Sequence, residues 1–411
     1  MYQNICKKMK TNTGPQKIKE LLERGVEEVI LADRLENQLK SGKQLRIKFG
    51  IDPTGPAVHL GNAIPLWKLK QFQELGHQVV LLIGDFTARI GDTSDKQAIR
   101  QPLEEEEIQK NLKTYKEQMA KILDLEKTEF VYNSEWLKKM SFEDVLKLSS
   151  QFTVAQMIER ENFSGRYKSG KPIGLQEFLY PLMQGYDSVA IKADVEIGGT
   201  DQTFNMLAGR VIQRAYGDEP QNVLTLSLIE GTDGRKMSKS YNNIIGIADS
   251  PKEMYGKIMS MRDELMVKYF NLCTQLPVEK IKAIENALAT GKENPRNIKA
   301  ELAKEITRIY HGEKAATSAE QEFNQIFRDK ELPSNIPEFQ ISAGECNILD
   351  LLVKIKLAPS KAEAKRLIIQ GGIKLNGQVE KNWQKTVEIE KIGNVIIQAG
   401  KRKVAKAVFK K

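Results

Sequence analysis

Residues 45–69 read LRIKFGIDPTGPAVHLGNAIPLWKL, and this stretch decides the fold. Its first seven residues form an apolar, strand-like run. Residues 52–56, DPTGP, contain two prolines and a glycine, which are typical of a tight loop. An apolar helical stretch begins at Leu60 and continues through Leu69. Strand, tight loop and helix start follow one another as in the first unit of a Rossmann-like sheet.

The start of this helix is a candidate site for a polyphosphate. The first turn of a helix has unpaired backbone N–H groups and a partial positive charge, and both favour anions. Thr54 and His59 add side-chain donors, and Gly61, which lacks a Cβ, would let a purine lie against the backbone. The motif His59-Leu60-Gly61-Asn62 is weak by itself, because an ordinary helix start can have the same pattern.

A second motif, KMSKS at residues 236–240, follows the turn-rich residues 230–235, EGTDGR. Lysines on a loop suit charge that develops only in a transition state. A run of lysine and serine is more often a solvated loop. Both motifs occur here in this order, however, with a strand before the first, and together they predict that the protein activates a substrate with a nucleotide.

Length and cysteine content narrow the class of protein. A chain of 411 residues is long enough for two or three domains with a large core. The cysteines, Cys6, Cys273 and Cys346, lack the spacing of a zinc site or a disulfide framework, which favours a reducing cytoplasm. The longest apolar run, residues 79–83, has the length of a buried strand, so neither a signal peptide nor a membrane span is predicted.

The net charge of +9 is concentrated at the C-terminal end. Residues 347–411 contain fifteen Lys and Arg against five Asp and Glu, so the remainder is close to neutral. Ser360 is expected to cap a basic helix, and Gly371-Gly372 to turn the chain into a strand at residues 373–376. Most basic tails only aid solubility, but basic residues on a helix and hairpin can follow a phosphate backbone, which predicts an RNA partner.

Changes of pattern along the chain predict five parts. Apolar strands alternate with helical stretches up to about residue 225, which indicates βαβ units around a parallel sheet. The periodicity is helical between residues 251 and 327, and prolines among polar residues then mark a linker. The five parts are an N-terminal helical region (1–40), a sheet domain ending in the second motif (41–248), a helical domain (249–327), a linker (328–346) and a basic domain (347–411).

Further polar side chains lie between the two motifs. Tyr180, Gln184 and Asp187 are spaced so that they share one face of a predicted helix, although such a face can also simply meet water. The run GGTDQ at residues 198–202 follows one predicted strand, and residues 84–92 follow another. Doubly wound sheets bind ligands at the carboxyl ends of their strands, so a shared crevice is predicted.

The two motifs resemble the signatures of class I aminoacyl-tRNA synthetases, and the segments between them are similar to those of bacterial tyrosyl-tRNA synthetases. The resemblance covers nearly the whole chain. It implies an α/β fold with a Rossmann-like, doubly wound parallel sheet, a helical anticodon-binding domain and a small α+β RNA-binding domain of the αL type. It also implies a homodimer that forms tyrosyl-adenylate from ATP and L-tyrosine and transfers the tyrosine to tRNA(Tyr).

The same resemblance implies roles for individual residues. The implied catalytic residues are Thr54, His59, Lys96, Arg100, Lys236 and Lys239. Those implied to bind ATP are Gly50, Asp52, His59, Gly61, Asn62, Gly199, Asp201, Lys236, Met237, Lys239 and Ser240. Those implied to bind tyrosine are Lys48, Thr87, Asp92, Asn133, Tyr180, Gln184, Asp187 and Gln202. The candidate RNA contacts are Lys361, Lys365, Arg366 and Lys374.

No general base is expected in this reaction. The carboxylate of the amino acid is already a nucleophile, so alignment and stabilisation of charge at phosphorus suffice. Magnesium is expected as the counter-ion of ATP, without a dedicated set of protein ligands. Neither a tightly bound cofactor nor a resident metal is predicted.

Three features depart from the family pattern. Asn62 stands in place of a second histidine, and Thr93 and Asp95 stand in place of a proline and a glycine. Lys48 stands where many members have a tyrosine that hydrogen-bonds the substrate hydroxyl. Asp187 is therefore expected to recognise the phenol, with Lys48 as a salt-bridged neighbour or joined through a water. A buried carboxylate left unpaired by phenylalanine opposes its binding, which fits the lack of an insertion large enough for an editing domain.

Two alternatives stay open. Tryptophanyl-tRNA synthetases have a similar pocket helix with an aspartate, but the run at residues 198–202, Gly185-Tyr186 and the C-terminal domain favour tyrosine. The other alternative is an RNA-binding protein that has kept the scaffold and lost catalysis. An active enzyme is favoured by the presence of four charged or donor residues, namely His59, Asp92, Lys236 and Lys239.

Overall fold

The computed structural model describes residues 11–53, 58–92, 105–237, 241–327, 336–341, 345–388, 394–400 and 403–409. The chain divides into two compact units, residues 1–312 and 313–411. The five parts predicted from the sequence are a finer division, and their boundaries stay a prediction. Within the described ranges, no helix combines the length and apolarity needed to cross a membrane.

The first unit alternates helices and strands before it becomes helical. It begins with α1 (Pro15–Glu23), β1 (Val26–Ile30), α2 (Ala32–Lys40), β2 (Arg46–Ile51), α3 (Leu60–Glu74) and β3 (Gln78–Ile83). It continues with α4 (Glu105–Met119), β4 (Thr128–Tyr132), α5 (Ser134–Leu137), α6 (Phe142–Ser149), α7 (Val154–Ile158) and α8 (Glu161–Lys168). Next come α9 (Leu175–Ala190), β5 (Val195–Gly199), α10 (Thr203–Ala215) and β6 (Asn222–Leu226). The helical part contains α11 (Pro251–Met259), α12 (Met266–Cys273), α13 (Val278–Ala289) and α14 (Pro295–His311).

The strands of this unit form a six-stranded sheet in the order β1-β6-β5-β2-β3-β4. Neighbouring strands from β6 to β4 are parallel, which confirms the predicted α/β fold. The chain moves from β2 to β3 and β4 on one side, and then to β5 and β6 on the other. The strand order therefore reverses between β2 and β5. In doubly wound sheets a crevice opens at the carboxyl ends of the strands at such a reversal.

The N-terminal region differs from its prediction. A continuous helical region is expected up to residue 40, but Val26–Ile30 forms β1, which is antiparallel to β6 at the edge of the sheet. Gly25, at φ +67°, turns the chain after α1. The β-branched residues of β1 favour an extended backbone, and pairing with the sheet outweighs their helical spacing. Helix is confirmed only for α1 and α2.

Helix α9, which carries the predicted polar face, is held in position by close packing against α10. A Cβ on Gly185 would lie 2.5 Å from Ile212 Cδ1 and 3.2 Å from the backbone of Gly209, so this approach requires a glycine. Leu182 of α9 packs in the core with Ile212. The predicted polar face of α9 lines the crevice, as described below.

The segment between residues 251 and 327 is helical as predicted. Ser250 accepts a hydrogen bond from the Glu253 N–H and caps α11. Helix α14 packs against α11 and α12, and Ile258, Leu302 and Ile306 are fully buried. The apolar positions at three- and four-residue steps therefore face a shared core.

The second unit is an α+β domain preceded by a helix. It contains α15 (Glu313–Phe327), β7 (Glu338–Ile341), β8 (Glu345–Asn347), α16 (Ile348–Lys354), α17 (Lys361–Ile369), β9 (Ile373–Leu375), β10 (Gln378–Glu380), β11 (Thr386–Glu388), β12 (Asn394–Ala399) and β13 (Lys403–Phe409). A five-stranded sheet has the order β10-β9-β12-β13-β7, and β11 pairs with β8. Side chains of α16, α17 and the larger sheet form its core, among them Leu351, Ile368 and Ile397.

The local signals predicted for this unit are confirmed. Ser360 Oγ accepts a hydrogen bond from the Glu363 N–H at 3.3 Å and caps α17. Gly371, at φ +71°, turns the chain toward β9. The predicted linker lies largely outside the described residues, which lack 328–335 and 342–344.

Candidate active site

A cavity of about 370 Å³ opens at the carboxyl ends of β2 and β5. It brings together side chains that are far apart in sequence. The predicted site residues that line it are Lys48, Gly50, Asp52, His59, Gly61, Asn62, Thr87, Asp92, Tyr180, Gln184, Asp187, Gly199, Asp201, Gln202, Lys236 and Met237. The predicted site residues outside the described part of the chain are Thr54, Lys96, Arg100, Lys239 and Ser240, and the departures Thr93 and Asp95 also lie outside it.

At the end of the cavity formed by the two motifs, His59 caps the N-terminus of α3. His59 Nδ1 accepts from the Asn62 N–H at 3.3 Å, and the Asn62 side-chain oxygen accepts from the His59 N–H at 3.3 Å. This reciprocal cap gives Asn62 a role in place of the usual histidine. Because Nδ1 accepts, the proton of a neutral His59 ring lies on Nε2, which is then its donor.

Gly61 lets the two motifs approach each other. A Cβ at this position would lie 3.1 Å from the His59 ring and 3.3 Å from Met237 Sδ. Met237 is 8% exposed and lines the cavity. The contact between Gly61 and a purine stays a prediction, and the glycine also has this packing role.

Of the second motif, the structure describes Lys236 and Met237; the backbone of Lys236 is held in place, whereas its side chain is exposed. Lys236 forms a short antiparallel bridge with Glu230. The buried Asn243 amide donates to the Lys236 carbonyl at 3.0 Å and to Asp233 at 2.8 Å. The bond from Asn243, together with donors of Arg235, holds the pKa of Asp233 well below its ordinary range. Asn243 is therefore a supporting residue that the motif alone did not indicate.

The opposite end of the cavity is closed by buried polar side chains around Asp187. Its carboxylate is 1% exposed and accepts from Trp136 Nε1 at 2.8 Å and from Asn133 Nδ2 at 3.3 Å, one on each oxygen. Burial raises the pKa of Asp187 to about 7, against the opposing effects of Lys48 and these two donors. A carboxylate in this position can accept a hydrogen bond from a hydroxyl that enters the cavity.

Lys48, the main departure from the family pattern, is fully buried. Its ammonium donates to the Gln184 carbonyl at 2.7 Å and to Ser188 Oγ at 2.8 Å, and it forms an ion pair with Glu196 at 2.9 Å. An ammonium has three hydrogens, and these three acceptors engage all of them. Of the two arrangements expected for Lys48 and Asp187, the direct ion pair is therefore wrong, and Lys48 acts on Asp187 through its charge.

Glu196 belongs to the site but is absent from the predicted set. It lies on β5 directly beside Lys48 on β2 in the sheet register. Its Oε1 also accepts from Gln184 Nε2 at 3.2 Å, and its Oε2 accepts from the Gln221 amide at 2.5 Å. Lys48 and Glu196 each lie in a largely apolar strand. A charged residue in each of two buried strands is the sequence signal that could have indicated this ion pair.

A chain of hydrogen bonds connects the wall of the cavity with Asp187. Tyr180 Oη donates to Asp52 Oδ2 at 2.8 Å, Thr87 Oγ1 donates to Asp52 Oδ1 at 2.9 Å, and Asn133 Nδ2 donates to Thr87 Oγ1 at 3.1 Å. Burial raises the pKa of the Tyr180 phenol, which therefore stays protonated as a donor. Asn133 does not line the cavity, but this chain and its bond to Asp187 connect it to the residues that do.

Trp136 is a second residue that the predicted set omitted. It follows Asn133 by three residues after β4, and its indole N–H donates to Asp187 at a shorter distance than the Asn133 amide does. A buried indole N–H usually has an acceptor, so the spacing of Asn133 and Trp136 was a usable signal. Among the residues that the structure describes, no group of three or more His, Cys, Asp and Glu side chains could hold a metal ion.

The candidate RNA contacts lie on α17 and β9 of the second unit. Lys361 and Arg366 form ion pairs with Asp350 and Glu363 at the surface. Lys365 Nζ lies 3.8 Å from the centroid of the Trp383 ring, and Lys374 is exposed. Surface ion pairs contribute little free energy, so these cations can exchange their partners for phosphates.

Comparison with known proteins identifies relatives for both units. Residues 40–328 match the family model of class I tRNA synthetases (W and Y), and residues 328–405 match the model of the SYY-like C-terminal domain of tyrosine–tRNA ligase. The tyrosine–tRNA ligase of Thermotoga maritima is 51% identical over 95% of this chain and 96% of its own length. That of Moorella thermoacetica is 49% identical over 94% of each chain.

Solved structures share the fold. A C-terminally truncated mitochondrial tyrosyl-tRNA synthetase of Aspergillus nidulans has a TM-score of 0.63 at 23% identity, over 76% of this chain and 94% of its own. The tyrosyl-tRNA synthetase of Archaeoglobus fulgidus, complexed with L-tyrosine, has a TM-score of 0.60 at 22% identity, over 74% and 99%. With the identity to the curated ligases over nearly its whole length, this chain belongs to the tyrosine–tRNA ligase family of class I tRNA synthetases.

Proposed function

We infer that this protein is a tyrosine–tRNA ligase. It activates L-tyrosine with ATP to give tyrosyl-adenylate and pyrophosphate, and then transfers the tyrosine to the 3′-terminal adenosine of tRNA(Tyr). The observation that carries this inference is the buried Asp187 carboxylate at one end of a cavity whose other end is formed by the two motifs. The identity to curated tyrosine–tRNA ligases over nearly the whole chain supports it.

Asp187 selects the amino acid by accepting a hydrogen bond from the phenol. Trp136 and Asn133 already orient its two oxygens, so little rearrangement accompanies binding. Phenylalanine would bury the same carboxylate without giving it a partner, at a cost of about 1–3 kcal/mol or more for a charged group. Discrimination against phenylalanine therefore follows from an unsatisfied acceptor.

Lys48 contributes to this selection from behind the cavity wall. Its hydrogens are engaged by Gln184, Ser188 and Glu196, so it does not donate to the phenol. Through the Gln184 carbonyl it fixes one turn of α9, and its charge favours the ionised form of Asp187. The lysine thus replaces a direct hydroxyl contact with electrostatic and positional support.

The opposite side of the substrate meets other groups. Asp92 binds the tyrosine ammonium together with Tyr180 and Gln184, and these three side chains line the cavity. Gln202, which donates to Asp92 at 2.7 Å, also belongs to the amino-acid end. Thr87 and Asn133 take part by connecting Asp187 to Asp52.

The nucleotide occupies the end formed by the two motifs, and its chemistry depends on alignment. An oxygen of the tyrosine carboxylate attacks the α-phosphorus of ATP, and pyrophosphate leaves with the electron pair of the broken P–O bond. His59 Nε2–H and the N-terminus of α3 stabilise the charge on the phosphates. Gly50, Gly61, Gly199 and Asp201 line the part that receives the nucleoside. Thr54, Lys96, Arg100 and Lys239 supply further donors, and magnesium enters as the counter-ion of ATP.

The enzyme acts as a homodimer. Large apolar side chains are exposed within residues 142–175, namely Phe142 (78%), Leu146 (56%), Val154 (65%) and Leu175 (80%). Exposed apolar groups concentrated in one segment are typical of a subunit interface. A second copy of the chain is the partner that covers them.

The second unit binds tRNA through the basic residues of α17 and β9. The protein works in the cytoplasm. The excess positive charge of residues 347–411 supports the first statement. The described cysteines, Cys273 and Cys346, are free thiols, which is consistent with a reducing compartment.

Amino-acid-dependent exchange of pyrophosphate into ATP tests the function. We expect exchange with tyrosine and little with phenylalanine or tryptophan. Exchange stimulated by tryptophan and not by tyrosine would favour the tryptophan enzyme. A folded protein that catalyses no exchange with any amino acid, yet binds tRNA, would favour the inactive RNA-binding alternative.

A further inference from the structure

A chain of four side chains leads from Asp92 in the cavity to a buried arginine behind its wall. Gln202 Nε2 donates to Asp92 Oδ2 at 2.7 Å, Asn205 Nδ2 donates to Gln202 Oε1 at 2.9 Å, and Arg160 Nη2 donates to Asn205 Oδ1 at 3.2 Å. Asp92 and Gln202 line the cavity. Asn205 and Arg160 are 0% and 9% exposed. No prediction from the sequence included these two residues.

Arg160 and Asp92, at the two ends of this series, fix the direction of each hydrogen bond between them. A guanidinium can only donate, and an ionised carboxylate can only accept. Asn205 therefore turns its oxygen to Arg160 and its amide hydrogens to Gln202. Gln202 in turn directs its oxygen to Asn205 and its amide hydrogens to Asp92. If the Gln202 amide rotated by half a turn, like groups would face each other at both of its contacts.

The surroundings of Arg160 keep it a donor. Its guanidinium carbon lies 5.0 Å from the centroid of the Phe163 ring and 4.5 Å from that of Phe204, and both rings attract a cation. Burial lowers the pKa of Arg160 to about 10, while Asp92 and Tyr180 oppose the shift. The guanidinium is therefore charged at neutral pH.

We propose that Arg160 and Asn205 are positioning residues for the ammonium group of tyrosine. Through Gln202 they hold the Asp92 carboxylate in the orientation that receives this ammonium. The proposal rests on the proposed role of Asp92 in the site. Neither Arg160 nor Asn205 contacts the substrate, and their effect is confined to ligands that carry the amino group.

The substitution Asn205→Asp interrupts this series of hydrogen bonds with little change in the shape of the side chain. The new carboxylate accepts from Arg160 but cannot donate to Gln202. Gln202 then turns its amide hydrogens toward residue 205 and its oxygen toward Asp92, where two acceptors meet. Asn205→Ala is a second variant that removes the amide without adding charge. Asn222→Asp is the matched control, because Asn222 is 0% exposed, bonds to Gln38 and to the Asp194 carbonyl, and does not line the cavity.

The measurement compares two ligands of the full-length protein. Tyrosinol has the phenol and the ammonium, and 3-(4-hydroxyphenyl)propan-1-ol has the same skeleton without the amino group. The ratio of their dissociation constants reports the ammonium contact alone. We expect the unaltered protein to favour tyrosinol by about 10- to 100-fold. Both Asn205 variants should lower this ratio by about 10-fold, and Asn222→Asp should leave it unchanged.

Asp92→Asn separates this proposal from the proposed function. If Asp92→Asn removes the preference for tyrosinol while both Asn205 variants keep it, the positioning role is overturned and the role of Asp92 stands. If Asp92→Asn itself leaves the ratio unchanged, the ammonium site has been assigned wrongly. Equal weakening of both ligands in the Asn205 variants would indicate a general structural role and would also overturn the proposal.

Discussion

At the amino-acid end of the cavity, Lys48, Asp187 and Glu196 are 0–1% exposed and hydrogen-bonded to one another or to neighbouring side chains. At the nucleotide end, Asn62 and Lys236 are exposed. The first arrangement suits a ligand of about a dozen atoms that must be told apart from close analogues. The second suits a highly charged ligand, for which backbone N–H groups and flexible cations suffice. In the proposed function, selectivity and activation are thus assigned to different ends of one crevice.

The largest expected effect separates these two ends. Replacing Lys236 and Lys239 together by alanine should lower the rate of tyrosyl-adenylate formation by about 10³-fold, because cations that act on the transition state are removed. The dissociation constant of tyrosine should change less than about twofold, since tyrosine meets other groups. Single-turnover kinetics and equilibrium dialysis provide both values, with the exposed Lys282→Ala as control. A tyrosine affinity that falls with the rate would remove the distinction.

The next effect concerns the buried ion pair. Lys48→Met or Glu196→Met alone should lower the free energy of unfolding by about 3–5 kcal/mol, because each leaves an uncompensated buried charge. The catalytic efficiency with tyrosine should fall about 100-fold, with the KM for ATP nearly unchanged. The double variant Lys48→Met/Glu196→Met should be more stable than either single variant. Strictly additive losses in a denaturant-unfolding cycle would contradict a coupled pair.

A smaller effect follows from the pKa of Asp187, which burial raises to about 7. Tyrosine affinity should weaken by about 10-fold as the pH falls from 8 to 6, because the carboxylate that accepts the phenol becomes protonated. The charged groups near Asp187 are Lys48 on β2 and Glu196 on β5, and neutralising Lys48 should move the midpoint to higher pH. In Asp187→Asn the affinity should not vary over this range, as titration calorimetry can determine.

The raised pKa of Asp187 makes stability depend on pH in the opposite direction to tyrosine affinity. A carboxyl with a pKa raised above its unfolded value favours the folded state most fully below the unfolded pKa. That contribution is lost as the pH rises through about 7. The unfolding free energy of Asp187→Asn should therefore lack this decline above pH 4, and a parallel decline in the variant would assign it to another group.

Substitutions in the second unit should have the smallest effect on the two ends of the cavity. Replacing Lys361, Lys365 and Arg366 by alanine should leave pyrophosphate exchange unchanged. The affinity for tRNA should fall, and the slope of log K against log salt should decrease by about one for each phosphate that the protein no longer neutralises. Equal loss of exchange and tRNA binding would contradict this division of roles.

The parts of the molecule that local patterns determine were predictable. The strand β2, the helix α3 after it and the cap at Ser360 depend on apolar periodicity and capping within a few residues. The polar face of α9 follows from helical spacing alone. Strand β1 was not predictable in this way, because its backbone conformation is decided by pairing with β6, nearly two hundred residues away.

The supporting residues of the site depend on contacts across the fold. Glu196 matters because the register of β5 on β2 places it beside Lys48. Trp136 matters because α5 and α9 bring its indole to Asp187, 51 residues later in the chain. Family resemblance predicted a set of side chains that meet the substrate, but it did not show which acceptors the hydrogens of Lys48 engage. Those acceptors lie on α9 and β5, which only the fold brings to Lys48.

In the proposed function, Asp187 selects tyrosine independently of the nucleotide end. The direct measurement is pyrophosphate exchange by the unaltered protein and by Asp187→Asn, with tyrosine and with phenylalanine at several ATP concentrations. We predict that the ratio of catalytic efficiencies for tyrosine over phenylalanine falls by about 100-fold in the variant, with the KM for ATP unchanged. An unchanged ratio, or a KM for ATP that rises with the loss of tyrosine activity, would contradict the claim.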